Sequence, residues 1–141
     1  METLLAIDDE LSVREAYRMI LDRDYRLMLA ESGDQALALL KEHHVDLLLL
    51  DLNMPNTSGM EVLEALEAQG ETTPVIVVTA SNSVNDAVAA MKRGAYDFVM
   101  KPFDIEDLRR LIAKTLTACR ERRELAVLRE QGVKEFAHII G

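Results

Sequence analysis

An α/β fold with a doubly wound sheet of five parallel strands follows from three features of the sequence. Short β-prone apolar runs alternate strictly with amphipathic stretches, the central runs are nearly unbroken aliphatics, and amphipathic segments of helical length separate one run from the next. Parallel strands need crossovers of about a dozen residues, and a sheet covered on both faces shows continuous rather than alternating hydrophobicity.

The strands are expected at Thr3–Ile7, Tyr25–Ala30, Val45–Leu50, Val75–Thr79 and Tyr96–Met100. Between them, helices are expected at Ser12–Leu21, Asp34–Lys41, Met60–Ala68 and Val84–Arg93, with a fifth from Ile105 onward. Ser12 with Glu15, Ser83 with Asp86 and Asp104 with Asp107 resemble capping boxes or acidic first turns, and Gly70 and Gly94 fall where helix C-terminal caps belong. The last helix is unusual: its apolar pattern continues through Leu128 to a stop near Gly132, about 28 residues or ~42 Å, longer than a small domain can cover.

At 141 residues the chain suits one domain with an appendage. The longest apolar run, Val45 to Leu50, is interrupted by Asp46 and falls far short of the roughly 20 residues of a membrane span. The N-terminus carries no basic segment before an apolar stretch, so it does not read as a secretion signal, and a cytoplasmic location is expected. The single cysteine, Cys119, can form no internal disulfide and reads as a small apolar helix residue. The net charge of −9 is uneven: residues 1–103 hold 18 acidic and 8 basic side chains, residues 104–131 hold 6 and 7. The first part should therefore repel nucleic acid, and its carboxylates could hold a divalent cation.

In an open parallel sheet ligands bind beyond the carboxyl ends of the strands, where strand order reverses. Those ends carry Asp8, Asp9 and Glu10 after the first strand, Asp51 after the third, Thr79-Ala80 at the fourth and Lys101-Pro102 after the fifth. Three nearby carboxylates at this edge cannot all stay ionised at neutral pH without a compensating charge, and an oxygen-only set suits a hard cation such as Mg²⁺. A carboxylate can accept a phosphoryl group, whose oxygens Thr79, the Ala80 N–H, Lys101 and the metal could each bind. Each element alone has an ordinary explanation as a turn, cap or loop; their joint placement at four strand ends carries the reading.

The segments Leu5-Ala6-Ile7-Asp8-Asp9-Glu10, Asp51-Leu52-Asn53-Met54-Pro55-Asn56-Thr57-Ser58-Gly59, Val78-Thr79-Ala80 and Gly94 through Phe103 resemble the signature segments of the response-regulator receiver family, over residues 3 to about 118. The resemblance implies a flavodoxin-like (βα)5 fold and a two-component switch that catalyses only its own phosphorylation and dephosphorylation. It implies phosphorylation at Asp51, with Mg²⁺ held by Asp9, Asp51, the Asn53 backbone carbonyl and, through water, Asp8. Lys101 would pair with Asp51 or its phosphate, with the Lys101–Pro102 bond cis, and Thr79 would bond a phosphoryl oxygen. Phe98 occupies the place of the switch aromatic, often Tyr in the family; without a hydroxyl it offers the ring alone, and plain core packing is its alternative. Asn53 and Ser81 would flank the attacking water in dephosphorylation.

Two other readings lack their residues. A phosphohydrolase with an aspartyl nucleophile places a second Asp two positions on, where this chain has Asn53. A nucleotide-binding module needs a Gly-rich phosphate loop, and none follows any strand. None of His43, His44 and His138 falls in the predicted site, so the phosphoryl donor is expected to be the phosphohistidine of a sensor histidine kinase or a small acyl phosphate.

Residues 1–119 therefore read as a receiver and 120–132 as a linker helix. The tail Val133–Gly141 resembles the opening of the AAA+ ATPase domain of nitrogen-regulation-type activators, which work with the alternative sigma factor; a natural end or a disordered remnant is the alternative. Leu108, Leu111, Ile112, Thr115, Ala118, Cys119, Leu125 and Leu128 form a stripe that outlasts the domain, which predicts a homodimer through this helix, although Arg122 interrupts a strict heptad.

Overall fold

The computed structural model describes residues 1–80 and 83–140, and in the last helix the side chains of all but residue 123 and residues 126–140. Five strands and five helices alternate: β1 Thr3–Ile7, α1 Leu11–Leu21, β2 Arg26–Ala30, α2 Gly33–Glu42, β3 Leu47–Leu50, α3 Gly59–Ala68, β4 Val75–Thr79, α4 Val84–Lys92, β5 Asp97–Met100 and α5 Ile105–Ile140. All neighbouring strands pair in parallel, in the order β2-β1-β3-β4-β5. The expected doubly wound, flavodoxin-like sheet is thus present.

Burial explains why the strand sequences look as they do. Every residue of β1, β3 and β4 is buried, while β2 and β5 at the two edges are partly open. Successive strand residues face opposite layers. Leu5, Ile7, Leu48, Leu50, Val75 and Val77 pack with Ala36 of α2, Val62, Leu63 and Leu66 of α3 and Ala90 of α4. Leu4, Ala6, Leu47, Leu49, Ile76 and Val78 pack with Tyr17, Ile20 and Leu21 of α1 and Leu108, Ile112 and Leu116 of α5.

Helix ends mostly follow the local chemistry. Ser32, Ser58 and Ser83 cap α2, α3 and α4 by accepting the N–H of Gln35, Glu61 and Asp86, and Asp104 accepts the N–H of Asp107 at the start of α5. Gly70 and Gly94 take φ of 68° and 98°, with Glu71 N–H on the Leu66 carbonyl and Ala95 N–H on that of Ala90, closing α3 and α4.

Two expectations are corrected. Ser12 does not cap α1: the helix starts at Leu11 with Glu10 in the cap position and no side-chain bond there. The backbone N–H of Glu10 is itself taken up by Asp8, which draws the chain into the helix one turn position early. The last helix does not stop near Gly132 but continues to Ile140. A single interior glycine costs a helix about 1 kcal/mol, too little to end one flanked by good helix formers.

Candidate functional site

The order of the sheet reverses about β1, which lies between β2 and β3, and a ligand site is expected at that crevice. Ile7 pairs with Leu50, so the residues that leave these two strands, Asp8 and Asp51, emerge side by side. Their backbones remain tied to the sheet: Asp8 N–H bonds the Ala30 carbonyl at 3.0 Å, and Asp51 N–H that of Ile7 at 3.1 Å. On the other flank Lys101 N–H bonds the Thr79 carbonyl at 2.8 Å, which fixes the start of the β5–α5 loop against the end of β4. The Lys101–Pro102 peptide is cis, as expected.

The side chains converge. One carboxylate oxygen each of Asp8, Asp9 and Asp51 lie within 4.8 Å of one another. Asp8 is wholly buried and Asp51 is 4% exposed, whereas Asp9 faces outward. Lys101 Nζ reaches Asp8 Oδ2 at 2.5 Å and Asp51 Oδ2 at 3.4 Å. Asp8, not Asp51, thus holds the shorter contact, as befits the more deeply buried charge. The second oxygen of Asp8 accepts the Glu10 N–H at 2.9 Å, and that of Asp51 accepts the Asn53 N–H at 3.1 Å. The Asn53 amide Nδ2 donates to Thr79 Oγ1 at 3.3 Å, linking the hydroxyl at the end of β4 to the acid on β3.

Electrostatics follow from this burial. Desolvation raises the Asp8 carboxyl above its usual value, opposed by the Lys101 bond and the Glu10 N–H. Burial alone would lower Lys101, but the bond to Asp8 and the charge of Asp51 outweigh it and hold the ammonium above its usual value. One ammonium faces three carboxylates. The uncompensated negative charge and the all-oxygen donors fit a small hard divalent ion, so the residues present suit Mg²⁺.

Ala80 is exposed and lines an open cleft with Ser12, Val13, Ala16, Lys101, Pro102 and Phe103. Phe98, half-buried on β5, packs on the core layer that includes Ala90 and Ala95. Ser81 lies outside the described residues. His44 sits before β3 at the opposite end of the sheet, where its Nε2 is 3.0 Å from Asp46.

Three features escaped the sequence reading. Arg14 of α1 donates to the Asp8 carbonyl at 2.8 Å. Gly59 packs its α-carbon against the backbone of Asp51 and Leu52. Tyr17 and Phe103 stack with ring centroids 5.9 Å apart, anchoring the loop that carries Lys101 on α1. Gly59 and Phe103 stand in the signature segments without their contacts being legible there, and Arg14 left a trace as a cation in the first turn of a helix, where the backbone dipole favours acids.

Comparisons with known proteins identify the family and the fold. Residues 4–113 match the family described as the response regulator receiver domain. The response regulator MprA of Mycobacterium leprae is 40% identical over 106 residues, which cover 74% of this chain and 46% of that protein. The chain therefore spans about half the length of the curated relatives it matches. Among solved structures, NtrX from Brucella abortus superposes with a TM-score of 0.84 at 30% identity, covering 90% of this chain and 30% of that one. The receiver domain of a putative LuxO repressor protein from Vibrio parahaemolyticus gives 0.84 at 28%, covering 88% and 96%. The chemotaxis protein CheY4 of Vibrio cholerae gives 0.76 at 30%, covering 82% and 98%. A match over most of its length, on a fold shared with solved receivers, means that this chain belongs to the response regulator receiver domain family of two-component systems.

Proposed function

We propose that this receiver accepts a phosphoryl group on Asp51 in a Mg²⁺-dependent reaction, and that Asp9, Asp51, the Asn53 carbonyl and, through water, Asp8 hold the ion. The observation that carries this reading is the meeting of Asp8, Asp9 and Asp51 within 4.8 Å, with Lys101 Nζ 3.4 Å from the acid at the end of β3. A bound Mg²⁺ supplies positive charge to the carboxylates and to the phosphoryl oxygens.

The chain's own groups do the rest. An Asp51 oxygen attacks phosphorus as the donor's P–N bond breaks, and the electron pair returns to the imidazole nitrogen of a sensor kinase's phosphohistidine. Acetyl phosphate substitutes for it with an acyl oxygen as leaving group. Lys101 neutralises one phosphoryl oxygen, while the Thr79 hydroxyl and the Ala80 N–H take others. The Thr79 hydroxyl, which accepts from Asn53 Nδ2, turns its own proton toward the phosphate, and that movement is the first step of the switch; the Phe98 ring on the neighbouring strand is the second. Asn53 and Ser81 flank the water that reverses the reaction. The experiment is labelling by acetyl phosphate with and without Mg²⁺: Asp51→Asn abolishes acid-labile label and Asp46→Asn retains it, whereas label retained on Asp51→Asn refutes the assignment.

The output is read from α5. The family match ends at residue 113, Leu116 is the last buried apolar residue described, and Leu125 is half exposed on a helix that continues to Ile140. Pairing with a second copy would cover Leu125; the side chain of Leu128 and Gly141 lie outside the described residues. The solved NtrX was crystallised with ADP and with ATP, and the receiver-like part is 30% or less of that chain. With the tail resemblance, this supports a receiver that controls an AAA+ ATPase and a DNA-binding domain in an alternative-sigma activator. This stretch of chain itself contacts neither nucleic acid nor membrane, and acts in the cytoplasm; no helix among the described residues is long and apolar enough to cross a membrane.

A further inference from the structure

We propose that Arg14 is a positioning residue for the acid turn: it clamps the peptide between Asp8 and Asp9 so that the exposed Asp9 carboxylate is presented to the cation. This deepens the metal reading above and rests on it.

The first observation is a conflict. The first turn of α1 has no acidic side chain and no side-chain cap, and Arg14, whose N–H closes that turn on the Glu10 carbonyl, brings a cation to the end of the helix that disfavours one. Residues that break a local rule are expected where function demands it.

The second is where the guanidinium goes. Arg14 Nη1 donates to the Asp8 backbone carbonyl at 2.8 Å, and Nη2 lies 3.8 Å from Glu31 Oε2 in the β2–α2 connection. The side chain is only 15% exposed, although Glu31 is 70% exposed. That carbonyl belongs to the peptide whose nitrogen is Asp9's, so holding it sets the plane from which the Asp9 side chain departs. Asp8 needs no such help, because its N–H is on the sheet and both its carboxylate oxygens are bonded. Asp9 is exposed and sits in the cluster, and among the described residues no hydrogen bond or ion pair holds its carboxylate.

The charge and the geometry of Arg14 make opposite predictions. As a nearby positive charge it repels a divalent ion, so its removal should tighten binding. As a clamp it lowers the cost of bringing Asp9 to the ion, so its removal should weaken binding. Loss of outer groups that orient ligands typically weakens a metal about 10-fold or more. Lysine keeps the charge but not the planar fork, so it should fail as a clamp too.

Mn²⁺, a spectroscopic stand-in for Mg²⁺, is titrated into the whole 141-residue chain and the free aquo ion counted by its paramagnetic resonance. Wild type, Arg14→Gln, Arg14→Lys, Glu31→Gln and Asp9→Ala are compared, with far-ultraviolet circular dichroism confirming that each is folded. The expected result is binding about 10-fold weaker for both Arg14 variants. For Glu31→Gln the change should stay within about 2-fold, since its ion pair is exposed. In acetyl phosphate labelling the metal concentration for half-maximal rate should rise while the plateau rate at saturating metal is kept. A merely structural Arg14 would lower the urea midpoint and leave the metal titration of the folded protein unmoved. Unchanged or tighter Mn²⁺ binding in Arg14→Lys and Arg14→Gln, with wild type and Asp9→Ala still differing, overturns the clamp and leaves the metal site standing. No difference between wild type and Asp9→Ala overturns the metal reading and the clamp with it.

Discussion

Gly59→Ala tests whether the backbone behind Asp51, the proposed phosphoacceptor, is as crowded as it looks. Gly59 opens α3, and its N–H bonds the Leu52 carbonyl at 3.1 Å. A β-carbon there would stand 2.6 Å from Leu52 Cα and closer still to the Asp51 carbonyl oxygen. These are main-chain atoms at the end of a central strand, so no side chain can swing aside. Overpacking of this kind costs about 1–3 kcal/mol and sometimes more. The gain of alanine over glycine in a helix returns about 1 kcal/mol. Main-chain overlap puts the cost at the upper end of that range, about 3 kcal/mol, so the net loss is ~2 kcal/mol, which lowers the folding constant about 30-fold. Relief must come from moving either α3 or the Asp51–Leu52 backbone. A displacement approaching 1 Å at a reacting group can cost about 100-fold in rate, so phosphorylation by acetyl phosphate should slow by more than the loss of folded protein explains. The assay pairs urea denaturation with labelling rates at one temperature. Gly70→Ala is the control: Gly70 has φ of 68°, and a β-carbon added there would meet no atom within 4 Å, so it should lose about 1 kcal/mol for its left-handed backbone and no labelling rate. If Gly59→Ala is as stable and as quickly labelled as wild type, the crowding argument is wrong.

Other outcomes follow from the same geometry. Asp9→Ala should keep the fold but lose the stabilisation that Mg²⁺ gives wild type, about 2.7 kcal/mol at 100 times the dissociation constant; equal shifts in melting temperature for both proteins would show that Asp9 is no ligand. Tyr17 is buried, and burial together with the charges of Asp8 and Asp51 pushes its phenol far above its ordinary value. Its stabilising contribution is complete below about pH 10 and is lost as pH rises, because the unfolded phenol ionises first; Tyr17→Phe should reduce the alkaline slope of stability by up to ~1.4 kcal/mol per pH unit, and parallel wild-type and variant curves between about pH 9.5 and 11.5 would refute this. The full chain should scatter light as a dimer whose solution-scattering profile changes with beryllium fluoride, and a version ending at Cys119 should be monomeric; a dimer indifferent to both would show that α5 beyond Cys119 does not pair.

Hydrophobic pattern and strand-end chemistry were enough to place all five strands and the edge where the carboxylates and Lys101 converge. Val45-Asp46-Leu47-Leu48-Leu49-Leu50 could be nothing but a strand buried on both faces, and only its first two residues fell outside it, since Asp46 turns back to accept the Thr3 N–H from the neighbouring strand. Asp8, Asp9, Asp51, Thr79 and Lys101 were legible because a parallel sheet brings its carboxyl ends to one edge whatever the intervening helices do. The helix ends at Ser32, Ser58 and Glu10 were less so, because several polar residues at each boundary compete for the cap and only packing chooses among them.

Tertiary structure alone decided how those residues relate. The register of Ile7 against Leu50 made Asp8 and Asp51 neighbours, and burial then set which of them Lys101 holds more tightly. The roles of Arg14 and Gly59 come from contacts with residues distant in the chain or on another element, through a carbonyl in one case and a missing β-carbon in the other. A backbone carbonyl has no side-chain identity, and the letter for glycine does not say which backbone stands beside it; a linear pattern specifies which chemistry reaches the edge of the sheet, and packing specifies the distances at which it meets.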